Sequence, residues 1–145
     1  MKKINIIGAG LTGPLLSIFL SKKGFNVSLY EKRSDCRLSS NYNGRSINLA
    51  LSERGINALK EISLYDNIKD LLIPMEGRMI HRIDKSLDFQ SYGSNKNECI
   101  YSVSRLELNK KLLELSESCG VKITFDKVLT GYDSDSNNLN FNGEV

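Results

Sequence analysis

The chain has 145 residues, a length that suits one domain, and its 40% hydrophobic and 26% charged content is that of a soluble globular protein. Its 20 basic and 17 acidic residues leave a net charge of +3 with no basic stripe, which argues against a nucleic-acid partner. The three cysteines (Cys36, Cys99 and Cys119) form no CxxC pair or Cys/His cluster, so neither zinc nor a disulfide framework is expected and a reducing, cytoplasmic setting fits. No apolar run approaches the roughly 20 residues that cross a bilayer, so no membrane segment is expected in this chain.

In chain order, Lys3–Ile7 reads as a short buried strand and Gly8–Gly13 as a glycine-rich turn. Leu11, Leu15, Ile18 and Phe19 recur at helical spacing, and Lys22, Lys23 and Gly24 suit a helix end. Phe25, Val27 and Leu29 then alternate as a second strand, completing a βαβ unit with parallel strands. Ser34–Gly44 is a polar loop. Ser52 caps a predicted helix carrying Ile56, Leu59 and Ile62, and a second helical stretch over Tyr65–Leu72 ends before Pro74. Arg78–Ile83 and Leu87–Tyr92 read as strands around an Asp84-Lys85-Ser86 turn. Cys99–Val103 is a further strand, and Ser104-Arg105-Leu106-Glu107 is a capping box opening a helix lined by Leu108, Leu112 and Leu115. Val121–Phe125 is expected as a third parallel strand, followed by a strand pair at Val128–Asp133 and Leu139–Phe141. Asn142-Gly143 announces a hairpin, yet only two residues follow, so the chain reads as a fragment of something longer.

Gly8-Ala9-Gly10-Leu11-Thr12-Gly13 fits GxGxxG between a strand and a helix. Gly8 allows the tight turn, Gly10 lets backbone approach a pyrophosphate, and Gly13 lets helix and strand pack closely. The helix N-terminus offers free N–H groups to phosphate, and Pro14 in the first turn removes one that lacks an intrahelical partner anyway. Glu31 ends the second strand 18 residues after Gly13. Its carboxylate suits both ribose hydroxyls of an adenine dinucleotide and disfavours a 2′-phosphate. These features alone do not separate FAD from NAD.

Three further stretches do separate them: Gly44–Gly55 (GRSINLALSERG), Ile73–His81 (IPMEGRMIH) and Tyr101–Asn109 (YSVSRLELN). In order and spacing they resemble the kynurenine 3-monooxygenase family of flavin-dependent aromatic hydroxylases, from about Ile4 to Leu129. The resemblance implies an α/β fold: an incomplete Rossmann-like FAD-binding domain with an inserted β-hairpin from the substrate-binding region. Residues 1–145 would be the N-terminal part of that domain, with 74–103 contributing to the substrate-binding sheet.

By position, the resemblance implies cofactor contacts at Gly8, Gly10, Thr12 and Gly13 in the turn and at Tyr30, Glu31 and Arg33 around the adenosine ribose. It further implies Ala50 near the flavin, Arg105 near the phosphates and ribityl chain, Leu129 near the adenine, and Arg45 close to the flavin. Arg78 and Tyr92 would hold the amino-acid carboxylate of L-kynurenine, a task suited to a guanidinium fork and a phenol. Placed on either side of the turn, they are expected to face each other across the hairpin. For the full-length protein the implied reaction converts L-kynurenine, NADPH and O2 to 3-hydroxykynurenine, NADP and water, with FAD as cofactor and NADPH as co-substrate. The alternatives are hydroxylation of another aromatic acid or a truncated non-catalytic remnant, and residues 1–145 alone are expected to be inactive. The hard chemistry is the flavin's, so no catalytic side chain and no metal are expected. His81, the single histidine, is assigned to hairpin structure.

Overall fold

Gly8 breaks the first strand because its φ of +99° lies where a side chain is strained, and this turns the chain from strand to helix. The computed structural model describes residues 2–38, 47–95 and 98–142, divided between two compact units, Met1–Gly44 with Asn109–Val145 and Arg45–Leu108.

In the first unit, β1 (Lys3–Ile7) leads through the glycine turn into α1 (Thr12–Lys22) and back into β2 (Asn26–Tyr30). β1 and β2 pair in parallel, with Ile4 opposite Val27 and Ile6 opposite Leu29. Val27, Ser28 and Leu29 are all buried, so β2 is the covered central strand and does not show the alternation expected of a half-exposed one. Its other edge pairs in parallel with the late strand over Lys122–Thr124, giving the order first, second, late. The core joins Ala9, Val27 and Leu29 to Leu113 and Val121. Leu29 and Leu113 are 0% and 1% exposed, and truncating either to alanine should cost about 2–5 kcal/mol.

The second unit contains β3 (Asn48–Leu51), α2 (Glu53–Glu61), α3 (Tyr65–Ile68) with a 3-10 turn over Lys69–Leu71, β4 (Ile73–Met75), β5 (Gly77–His81), β6 (Leu87–Ser91) and β7 (Ile100–Ser104). β7 is central in an antiparallel sheet between β3 and β4. Neither flanking strand is apparent from the sequence. β3 and β4 have only four and three residues, and β4 carries Pro74, which an edge strand tolerates because one side of its backbone needs no donor. The second predicted helix is accordingly shorter than Tyr65–Leu72. Ser52 sits at the N-cap of α2 as expected, without a side-chain capping bond.

β5 and β6 form the expected hairpin, with a register that differs from the symmetric reading. Arg78 lies opposite Gln90, and the Tyr92 N–H donates to the Glu76 carbonyl at 2.9 Å. The cause is the loop. The Arg82 N–H reaches the Ser86 carbonyl at 3.0 Å, and Lys85 takes φ +67°, so the turn centres on Asp84. Arg78 and Tyr92 are therefore diagonal neighbours rather than a facing pair. His81 ends β5, exposed and opposite Leu87.

α4 (Arg105–Ser118) begins in the second unit and continues in the first; the Glu107 N–H donates to Ser104 Oγ at 3.4 Å, a long version of half of the predicted capping box. After it come β8 (Lys122–Thr124) and the antiparallel pair β9 (Leu129–Asp133) and β10 (Asn138–Phe141), as expected from sequence. Residues 143–145, and so Gly143, lie outside the described residues. No helix among the described residues is long and apolar enough to cross a membrane.

Candidate functional site

The glycine turn is open on one side and tightly packed on the other. A Cβ at Gly10 would meet no heavy atom within 4 Å, leaving room above the backbone. A Cβ at Gly13 would collide with the Gly8 carbonyl oxygen and lie 3.2 Å from Leu29 Cδ1, so only glycine permits this approach of α1 to β1 and β2. α1 has no side-chain cap and no acidic residue in its first turn. Its first N–H groups, with the positive end of the helix dipole, therefore suit a phosphate oxygen. Thr12 opens this helix, exposed at the mouth of the turn.

Glu31 stands at that mouth. Its Oε2 accepts the Ala9 N–H at 2.7 Å and its Oε1 accepts the Arg33 N–H at 3.0 Å, so the carboxylate is oriented by two backbone donors and remains only half-buried. The strand ends hold it in place: the Gly8 N–H donates to the Tyr30 carbonyl at 2.7 Å and the Glu31 N–H to the Thr124 carbonyl at 2.9 Å. Each carboxylate oxygen keeps a further lone pair, so hydroxyl donors can be added without breaking the existing bonds.

The residue before Glu31 belongs to an aromatic and apolar group. The Tyr30 ring packs on Phe141 with centroids 4.6 Å apart, and Phe141 is the strand partner of Leu129. Tyr30, Arg33 and Leu129, matched by resemblance to the adenosine end, thus fall in one unit with Glu31 and the turn. Phe141 was not singled out from sequence, because only the β9–β10 pairing brings it to Tyr30.

Arg37 is a second residue the sequence does not reveal. Its guanidinium bonds Glu117 Oε2 at 2.6 Å and Asp35 Oδ2 at 2.6 Å, and lies 5.8 Å from the Phe125 ring centroid. Hydrogen bonds to Glu117 and then Asp35 hold it protonated well beyond its ordinary range, and its hydrogen bond to Asp35 holds that carboxyl below the usual carboxylate range. The ion cluster ties the segment after Glu31 to α4.

The remaining matched residues lie in the second unit. Ala50 is exposed on β3 opposite Ser102, and Arg105 is exposed at the first position of α4. Arg78 and Tyr92 are both exposed on the hairpin, where Arg78 Nε donates to Gln90 Oε1 at 2.7 Å. Arg45 lies outside the described residues. All three cysteines are free thiols.

Residues 1–142 match the family described as FAD binding domain. The chain is similar to kynurenine 3-monooxygenase of Stenotrophomonas maltophilia, at 42% identity over 140 residues that make up 97% of this chain and 31% of the relative. It is also similar to kynurenine 3-monooxygenase of Flavobacterium johnsoniae, at 45% identity over 125 residues, covering 86% of this chain and 27% of the relative. The chain thus spans less than a third of the length of these relatives. Among solved structures, a mutant of 2-methyl-3-hydroxypyridine-5-carboxylic acid oxygenase superposes with a TM-score of 0.79 at 18% identity, covering 98% of this chain and 36% of that one. A p-nitrophenol 4-monooxygenase from Pseudomonas putida superposes with a TM-score of 0.73 at 17% identity, covering 97% and 36%. At that identity the structural likeness establishes the fold.

Proposed function

The chain belongs to the FAD binding domain family, and from that premise we propose that the full-length protein hydroxylates L-kynurenine to 3-hydroxykynurenine. The reaction is L-kynurenine, NADPH, a proton and O2 to 3-hydroxykynurenine, NADP and water. The observation that carries the reading is the Glu31 carboxylate fixed at the mouth of the open glycine turn, 2.7 Å from the Ala9 N–H. A carboxylate there, beside an uncapped helix start and a cradle that a Cβ at Gly10 would fill, fits the ribose and pyrophosphate of FAD.

When bound, FAD supplies the redox chemistry that links NADPH to O2 and the aromatic ring. The chain's own residues bind and orient. The Gly10–Gly13 backbone and the α1 N-terminus take the phosphates, Glu31 takes the ribose hydroxyls, and Tyr30, Arg33 and Leu129 border the adenosine. Ala50 and Arg105 are proposed as further cofactor contacts, as the resemblance implies. Arg78 and Tyr92 hold the substrate carboxylate, with residues 74–103 forming part of the substrate-binding sheet. As diagonal neighbours at the end of the hairpin ladder, they offer a guanidinium and a phenol from one face. Residues 1–145 alone are proposed not to turn over, and the three free thiols favour a cytoplasmic setting.

The test is turnover by the full-length protein. NADPH oxidation should be stimulated by L-kynurenine and coupled to 3-hydroxykynurenine, with little stimulation by hydroxybenzoates. Coupled product from a hydroxybenzoate and none from L-kynurenine would overturn the substrate assignment.

A further inference from the structure

We propose that Asn109 is a positioning residue that sets which way the glycine turn presents its N–H groups; this rests on the reading that the turn holds the pyrophosphate of FAD. Asn109 is half-buried in the first unit, on the face of α4 that meets the turn. With its amide oriented so that both ends are satisfied, Nδ2 donates to the Gly10 carbonyl at 2.9 Å and to the Ala9 carbonyl at 3.1 Å. The other end of the amide faces Cys36 Sγ.

The consequence follows from the planar trans peptide, in which the C=O of one residue and the N–H of the next point in opposite directions. Holding the Ala9 carbonyl toward α4 sends the Gly10 N–H the other way. Holding the Gly10 carbonyl does the same for the Leu11 N–H. Gly10 is exposed, and a Cβ there would meet nothing within 4 Å, so the turn has open space beside it. The Ala9 N–H is already taken by Glu31. Asn109 therefore leaves two consecutive donors aimed outward beside the start of α1, the arrangement a phosphate oxygen needs.

The placement of Asn109 is itself anchored. Ser116 lies seven residues on, two helical turns later and on the same face. Its Oγ lies 3.2 Å from Ser17 Oγ of α1, both hydroxyls being fully buried, while Ser21 Oγ donates to the Cys119 carbonyl at 2.6 Å. These contacts fix the register of α4 against α1, and Asn109 with it.

The experiment uses the full-length protein and its Asn109→Asp and Asn109→Ala variants. FAD affinity is read by flavin fluorescence, and melting is followed with and without FAD. Aspartate keeps the shape and loses both donors. The expected result is at least a tenfold rise in the FAD Kd for both variants and a smaller FAD-induced rise in Tm. Variants that bind FAD within twofold of the parent, with apo and FAD-bound forms destabilised equally, would show Asn109 to be structural only and overturn the proposal. If the parent itself binds no FAD, the cofactor reading fails and takes the inference with it. Should neither variant fold, a structure of the FAD-bound parent decides: the Gly10 and Leu11 N–H groups must face phosphate, and either one turned toward α4 would overturn it.

Discussion

Replacing Gly10 and Gly13 one at a time by alanine separates ligand space from packing space within a single turn. At Gly13 the added methyl would overlap the Gly8 carbonyl oxygen and press on Leu29 Cδ1 at 3.2 Å. Backbone cannot swing aside as a flexible side chain does, so overpacking of about 1–3 kcal/mol applies. The gain in helix propensity offsets about 1 kcal/mol of that cost. A net loss of up to about 2 kcal/mol is expected for Gly13→Ala, read by denaturant unfolding of the apoprotein. At Gly10 no heavy atom lies within 4 Å, so Gly10→Ala should leave apoprotein stability within about 0.5 kcal/mol of the parent. Its methyl instead enters the cradle. Losing one charged hydrogen bond to phosphate, worth about 1.5–3 kcal/mol, corresponds to a roughly 10- to 150-fold weaker FAD Kd. Flavin-fluorescence titration of the full-length protein reads this. Unimpaired FAD binding by Gly10→Ala, or a stability loss matching that of Gly13→Ala, would refute the assignment of the turn's open side to phosphate.

Glu31→Gln keeps an acceptor for the Ala9 N–H but loses the charge; FAD affinity should fall about tenfold, with apoprotein stability lowered by no more than about 1 kcal/mol. Arg37→Ala should cost about 1 kcal/mol at neutral pH, because Asp35 and Glu117 lose a shared partner at a partly exposed site. Since Asp35 is held below its ordinary pKa in the folded state, its stabilisation is present above the unfolded value near ~3.9 and is lost as pH falls through the folded one. The difference between parent and Arg37→Ala in urea unfolding should therefore shrink below about pH 4, and a gap that widens there would contradict the pairing. Arg78→Ala removes an exposed side chain that donates to Gln90, so folding and FAD binding should be unchanged while KM for L-kynurenine rises at least tenfold.

The sequence makes the first crossover legible because each glycine has a local reason to be there, and Glu31 follows at the end of the next strand. Helix α4 was readable from its leucines and the hairpin from its two short runs around a polar turn. What escaped depended on pairing between distant segments. β3 and β4 are too short to show a period, and Pro74 counts against a strand unless its edge position is known. The αL conformation of Lys85 set the hairpin register and moved Arg78 and Tyr92 from facing to diagonal positions. Arg37 meets Glu117, 80 positions later, only because the chain returns α4 to the loop after β2. The same return brings Asn109 to the carbonyls of Ala9 and Gly10, a contact that no local motif announces.

The most direct measurement is extraction of the cofactor from purified full-length protein and from its Glu31→Gln variant. The parent should release FAD at one per chain and the variant distinctly less. A colourless parent, a bound nicotinamide dinucleotide in place of flavin, or equal FAD content in both proteins would contradict the assignment of the glycine turn and Glu31 to the adenosine diphosphate of FAD.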